Sequence, residues 1–87
     1  MKITKVSIKN VRNSSNLKAF ASITIDEEFM IHELRIIEGK NGLFVAMPSK
    51  KVGENYIDIA HPITAEARTM ITTTVLEAYH QQLEAAV

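Results

Sequence analysis

Apolar and polar residues alternate most cleanly between Leu17 and Ile25, where Leu17, Ala19, Ala21, Ile23 and Ile25 interleave with Lys18, Phe20, Ser22 and Thr24. A period of two marks a half-buried strand, because successive side chains of an extended chain point to opposite faces. The same period runs more weakly through residues 4–11, with Val6 and Ile8 opposed to Lys5, Ser7 and Lys9, while Ile3 and Val11 break the parity at the ends. Phe29 to Ile37 and Leu43 to Met47 carry apolar groups on both parities. That pattern predicts central strands covered on both faces. A short fifth strand is predicted from Tyr56 to Ala60.

The breaks between these runs have turn chemistry. Arg12 to Asn16 is rich in Asn and Ser, whose side chains bond nearby backbone. Asp26-Glu27-Glu28 interrupts with charge, and Gly39-Lys40-Asn41-Gly42 is a hairpin signal, since glycine accepts the positive φ of tight connections. Pro48 cannot donate to a sheet ladder and ends its strand or sits at an edge. Val52-Gly53-Glu54-Asn55 reads as a further turn.

One helix is predicted, about Ala65 to Leu83, with Thr64 as N-cap and Glu66 meeting the positive end of the helix dipole. Its apolar positions cover far more of the circumference than one contact face requires, leaving Glu66, Thr69, Thr73, Glu77, His80 and Glu84 as the wet side. A helix this apolar is expected to touch its own sheet and a second copy of the chain, through Met70, Ile71, Val75, Leu76, Tyr79 and Leu83. The β-branched run Thr72-Thr73-Thr74-Val75 weakens intrinsic helicity, so packing must hold it. The expected architecture is a single α+β domain over residues 1–87, dimeric. It has an antiparallel sheet of about five strands within about residues 2–60 and one C-terminal helix at about 65–83.

Size sharpens the dimer expectation. A chain of 87 residues without cysteine has neither a large core nor a disulfide to staple it, so packing or a partner subunit must contribute. The lack of cysteine fits a cytoplasmic protein, and no apolar run reaches the roughly 18 residues of a membrane span, so no membrane partner is expected. Ten basic and ten acidic residues give zero net charge, which argues against a uniformly basic nucleic-acid binder. The charges are segregated, however. Residues 1–25 hold Lys2, Lys5, Lys9, Arg12 and Lys18 and no acid, while Asp26, Glu27, Glu28, Glu33 and Glu38 follow with only Arg35 among them. Lys40, Lys50 and Lys51 come next, and the last third is acidic around a single Arg68. A neutral protein of this kind can still present one basic surface.

Enzyme chemistry finds little support. His32, His61 and His80 lack the spacing of zinc ligands and read as structural or surface histidines, so no metal or other cofactor is expected. Ser49 beside Lys50 and Lys51 resembles a Ser/Lys pair, but neighbours on an extended segment point apart. Neither a Walker pattern nor a nucleophile elbow occurs, and no small-molecule substrate is expected. Gly39 to Gly42 fits the GXXG loop of a KH domain, yet that loop joins helices and this one joins strands, which favours the hairpin. Lys50-Lys51 reads as a compact exposed cation pair, and Phe20 on the polar parity could stack on a base or meet a neighbour.

The stretches Ala21 to Phe29, Asn41 to Lys50 and Asp58 to Ile63, above all Gly-Leu-Phe-Val-Ala-Met-Pro-Ser-Lys at 42–50, resemble the stage V sporulation protein G (septation regulator) family. The similarity runs in register from Met1 to about His80. It implies a small cytoplasmic bacterial homodimer with a sheet and a C-terminal helix. It further implies a regulator of septation and sporulation that binds DNA site-specifically and also RNA. The alternative is a protein-interaction module of the division or sporulation machinery that does not touch nucleic acid. Lys50, Lys51 and Arg68 are the first expected nucleic-acid contacts, supported by Lys5, Lys9, Arg12 and Arg35. The Lys-Arg of the family is Lys50-Lys51 here, which keeps the charge and loses the bidentate guanidinium. The family's Pro-Asp-Gly turn becomes Val52 to Asn55, and its acidic tail is missing.

Overall fold

The computed structural model describes residues 1–12 and 16–85, so the centre of the predicted Arg12–Asn16 turn lies outside the described residues. Six strands precede one helix: β1 (Ile3–Asn10), β2 (Leu17–Ile25), β3 (Phe29–Gly39), β4 (Gly42–Ala46), β5 (Ser49–Val52), β6 (Asn55–Asp58) and α1 (Ala65–Ala85). The first four form an antiparallel meander in the order β1-β2-β3-β4, and β5 and β6 pair as a separate two-stranded hairpin. The α+β class and the single C-terminal helix agree with the sequence. The single five-stranded sheet does not: Pro48 ends the meander, and Ser49 to Val52, for which no strand is predicted, is a strand pairing with β6 instead.

The turns follow their residues. Between β2 and β3, the Glu28 N–H donates to the Ile25 carbonyl at 3.0 Å, and both central residues take positive φ, Asp26 at 53° and Glu27 at 60°. The Asp26 carboxylate accepts from the Lys2 N–H at 3.1 Å, and the Asp26 N–H donates to the Lys2 carbonyl at 2.7 Å, tying the chain start to this turn. In the β3–β4 hairpin, Gly39 pairs with Gly42, and the positive φ falls on Gly42 (115°) rather than on Lys40 or Asn41. In the β5–β6 hairpin it falls on Gly53 (65°), the first central residue, as a type II′ turn requires.

A bulge accounts for the mixed parity of β3. Ile31 lies opposite Ile23 and Leu34 opposite Ala21, so β3 spends three residues where β2 spends two. The extra residue sits at His32–Glu33, and Glu33 takes a φ of 66°. Upstream of it Ile31 faces the helix; downstream Leu34 and Ile36 do. The apolar residues on both parities therefore reflect a change of parity within a strand covered on one face only, which corrects the two-sided burial expected for β3. In β4, too, Val45 is buried while Phe44 is exposed.

Helix α1 lies over that one face. The Thr64 hydroxyl caps it by accepting from the Ala67 N–H at 3.1 Å. Ile71, Val75 and Tyr79, one turn apart, pack on Ala19, Ala21, Ile23, Leu34, Ile36, Val45 and Met47. Ile23, Leu34, Ile36 and Val75 are the largest fully buried side chains, each worth about 2 kcal/mol of burial. Packing, rather than intrinsic propensity, holds the Thr72–Val75 segment helical. Among the described residues, no helix is long and apolar enough to cross a membrane.

Candidate nucleic-acid interface

The side of the meander away from the helix is open. Strand register assigns its residues: Lys9 pairs with Phe20, Phe20 with Arg35, and Arg35 with Ala46, a single line across all four strands. Toward one end of the sheet lies Ser7 opposite Ser22, with the His32–Glu33 bulge beyond, and then Lys5, Thr24 and Met30. Toward the other end, Ile37 pairs with Phe44. The Phe44 ring leans over Gly39, where a Cβ would stand 3.1 Å from a ring carbon.

This face mixes cations with aromatic surface. Lys5 and Lys9 are exposed on edge strand β1, and Phe20 keeps 38% of its surface accessible. Arg35 is half-buried near the centre, where its Nη2 donates to the Ser49 hydroxyl at 3.1 Å. That bond uses one of five guanidinium N–H groups and fixes the plane of the rest. The Ser22 hydroxyl and His32 Nδ1 are hydrogen-bonded at 3.1 Å. Preorganised donors beside an exposed ring can hold a phosphate and a base together.

Lys5, Lys9 and Arg35, three of the residues anticipated from sequence, thus share one face. The other four do not join them as a single cluster. Lys50 and Lys51 are not a compact pair, because consecutive residues of β5 point to opposite sides of the hairpin. Register puts Lys51 with Tyr56 and Lys50 with Ile57. The Lys51 side also carries Ser49, the residue bonded to Arg35. Arg68 is exposed on the first turn of α1, the element that covers the other face of the sheet. Arg12 lies just past β1, where the Val11 N–H donates to the Lys18 carbonyl at 3.0 Å. Sequence reasoning passed over Phe44, Tyr56 and the Ser22–His32 pair. The Phe44–Gly39 contact had a signal in the Gly-Lys-Asn-Gly turn, whereas Ser22 and His32 meet only because of the bulge.

The six residues expected at a helix-mediated seam divide as well. Ile71, Val75 and Tyr79 are buried against the chain's own sheet, so only Met70, Leu83 and the half-buried Leu76 present surface to a second copy. The hairpin offers more: Tyr56 is 68%, Ile57 51% and Ile59 63% exposed. Among the described residues, no three His, Asp or Glu side chains gather as a metal site.

Comparison with known proteins supplies the relationship. The model of the SpoVG family matches residues 1–81. A Clostridioides difficile protein named "Putative septation protein SpoVG" is 51% identical over 84 residues, covering 95% of this chain and 91% of its own. Proteins of the same name from an Exiguobacterium species and from Heliobacterium modesticaldum are 55% identical over 80 residues and 46% over 88. The first alignment covers 91% of this chain and 81% of the relative, and the second 100% and 99%.

Proposed function

The chain belongs to the SpoVG family of septation proteins, and from that premise we propose that it is a regulator acting in septation and sporulation by binding DNA or RNA through a basic surface. The observation that supports this reading is the line Lys9–Phe20–Arg35 on the open side of the sheet, with Lys5 beside it. Zero net charge is compatible with it, because the acids Asp26, Glu27 and Glu28 are gathered in the turn at the end of β2 and β3. A polyanion is then attracted by one face and not by the whole molecule. Lys51 and Tyr56 extend the same chemistry onto the hairpin. The protein acts as a cytoplasmic homodimer in this reading. A hairpin of two four-residue strands is marginal alone in water, and the exposed Ile57 and Ile59 give a second copy something to cover.

Mobility shift with labelled duplex DNA and with RNA at low ionic strength, where electrostatic attraction is strongest, tests the proposal. Retardation that weakens with salt is expected, and a parallel Lys50→Ala/Lys51→Ala variant measures what the hairpin contributes. Failure to retard either nucleic acid overturns the reading. It would favour the alternative that the exposed hairpin side chains mark: a protein-interaction module of the division machinery without nucleic-acid binding.

A further inference from the structure

The bulge in β3 opens a hollow on the open face of the sheet. A cleft of about 510 Å³ lies there, lined by Ser7, Lys9, Phe20, Ser22, His32 and Glu33. Its volume falls in the range of small-ligand sites, roughly 300–1,000 Å³. The exposed Phe20 ring lines it, with the hydrogen-bonded Ser22 and His32 beside it and Lys9 paired with Phe20 across the ladder. Glu33 holds a left-handed φ of 66° that a side-chain-bearing residue adopts at a cost. Strain of this kind gathers where a binding site requires it.

We propose that this cleft receives one unstacked base of single-stranded nucleic acid. This rests on the nucleic-acid reading above and specifies its ligand. A flat aromatic wall suits the face of a base, which is available only when the base is out of a duplex. The Lys9 ammonium and, along the same line, the Arg35 guanidinium stand where the flanking phosphates would pass. Across the described open face, Lys5, Lys9 and Arg35 oppose the single carboxylate of Glu33, so the surface is complementary to a polyanion. That one carboxylate has a use inside the cleft. It accepts from an exocyclic amino group, as acidic side chains do with cytosine, and selects cytosine over thymine or uracil.

Fluorescence anisotropy with labelled oligo(dC), oligo(rC), oligo(dT) and a blunt duplex tests this at fixed low salt. The unmodified protein is expected to prefer oligo(dC) over oligo(dT), and oligo(rC) is expected to bind as a single strand of the same base; equal affinity for oligo(dC) and oligo(dT) overturns the selection by Glu33. Phe20→Ala is expected to lose about ten-fold in oligo(dC) affinity, with Phe20→Tyr retaining it. Glu33→Gly relieves the backbone and raises the melting temperature, yet abolishes the preference for dC over dT. A merely structural Glu33 would leave that preference unchanged. Binding to the duplex alone, or full oligo(dC) affinity in Phe20→Ala, overturns the cleft proposal while the broader reading stands. No binding to any probe removes both.

Discussion

The strongest quantitative consequence of the open face concerns Lys5 and Lys9. Both extend from edge strand β1 on the side away from the helix and are exposed, so replacing them by Gln removes two charges without disturbing the core. Stability should stay within about 0.5 kcal/mol of the parent. If each lysine neutralises one phosphate of a single strand, each contributes about 0.7 to the slope of log affinity against log salt. Losing both flattens the slope by about 1.4; with the two lines meeting at about 1 M salt, where the electrostatic contribution vanishes, affinity falls about 25-fold at 0.1 M salt and about 5-fold at 0.3 M. On duplex DNA, at about 0.9 per contact, the slope changes by about 1.8. Anisotropy titrations of parent and Lys5→Gln/Lys9→Gln over a series of salt concentrations measure both quantities. Parallel lines on the log-log plot would refute the assignment, because a loss of affinity that does not depend on salt cannot come from phosphate contacts.

Two further expectations concern the scaffold. Val75→Ala removes a fully buried side chain that docks the helix on the sheet and should cost about 2–3 kcal/mol in denaturant unfolding, with an unchanged m value. Glu27→Gly relieves a left-handed residue in the β2–β3 turn; offset by the freer unfolded chain, the net gain should be about 0.5–1 kcal/mol, seen as a higher melting temperature.

Periodicity made β2 legible because Ala19, Ala21, Ile23 and Ile25 alternate onto the core face, although its ladder with β3 is irregular between Leu17 and Ala19. The turns at Gly39–Gly42 and Val52–Asn55 were legible because glycine carries positive φ within each of those segments. Strand β3 misled for a specific reason. An extra residue at His32–Glu33 shifts parity mid-strand, and in sequence a shift of parity looks the same as burial on two faces. The same bulge creates the cleft, so the feature hardest to read from spacing is the one that shapes the candidate site. Strand β5 was hidden by its composition, since Ser-Lys-Lys-Val has no inward apolar pattern. Its partner β6, Asn55–Asp58, matches the short strand predicted from Tyr56 to Ala60 although it is exposed throughout, because the turn residues before it mark where it starts. Lys5, Lys9 and Arg35 stand out in the sequence as cations, but their sharing of one face is a matter of register. Lys9 and Arg35 are far apart in the chain and meet only through Phe20.

The meander order has a bearing on how the chain is made. Each strand of the sheet pairs with its neighbour in sequence, so every ladder closes a short loop, and contacts this local favour rapid folding. All four strands are complete by Ala46, whereas Ile71, Val75 and Tyr79, which cover Ile23, Leu34 and Ile36, come much later. The four strands precede their cover in the chain, so a sheet formed before α1 docks leaves its apolar side in water. Until the helix docks, that apolar side is exposed to other unfolded chains, so the docking of Ile71, Val75 and Tyr79 is the step that closes the chain to aggregation.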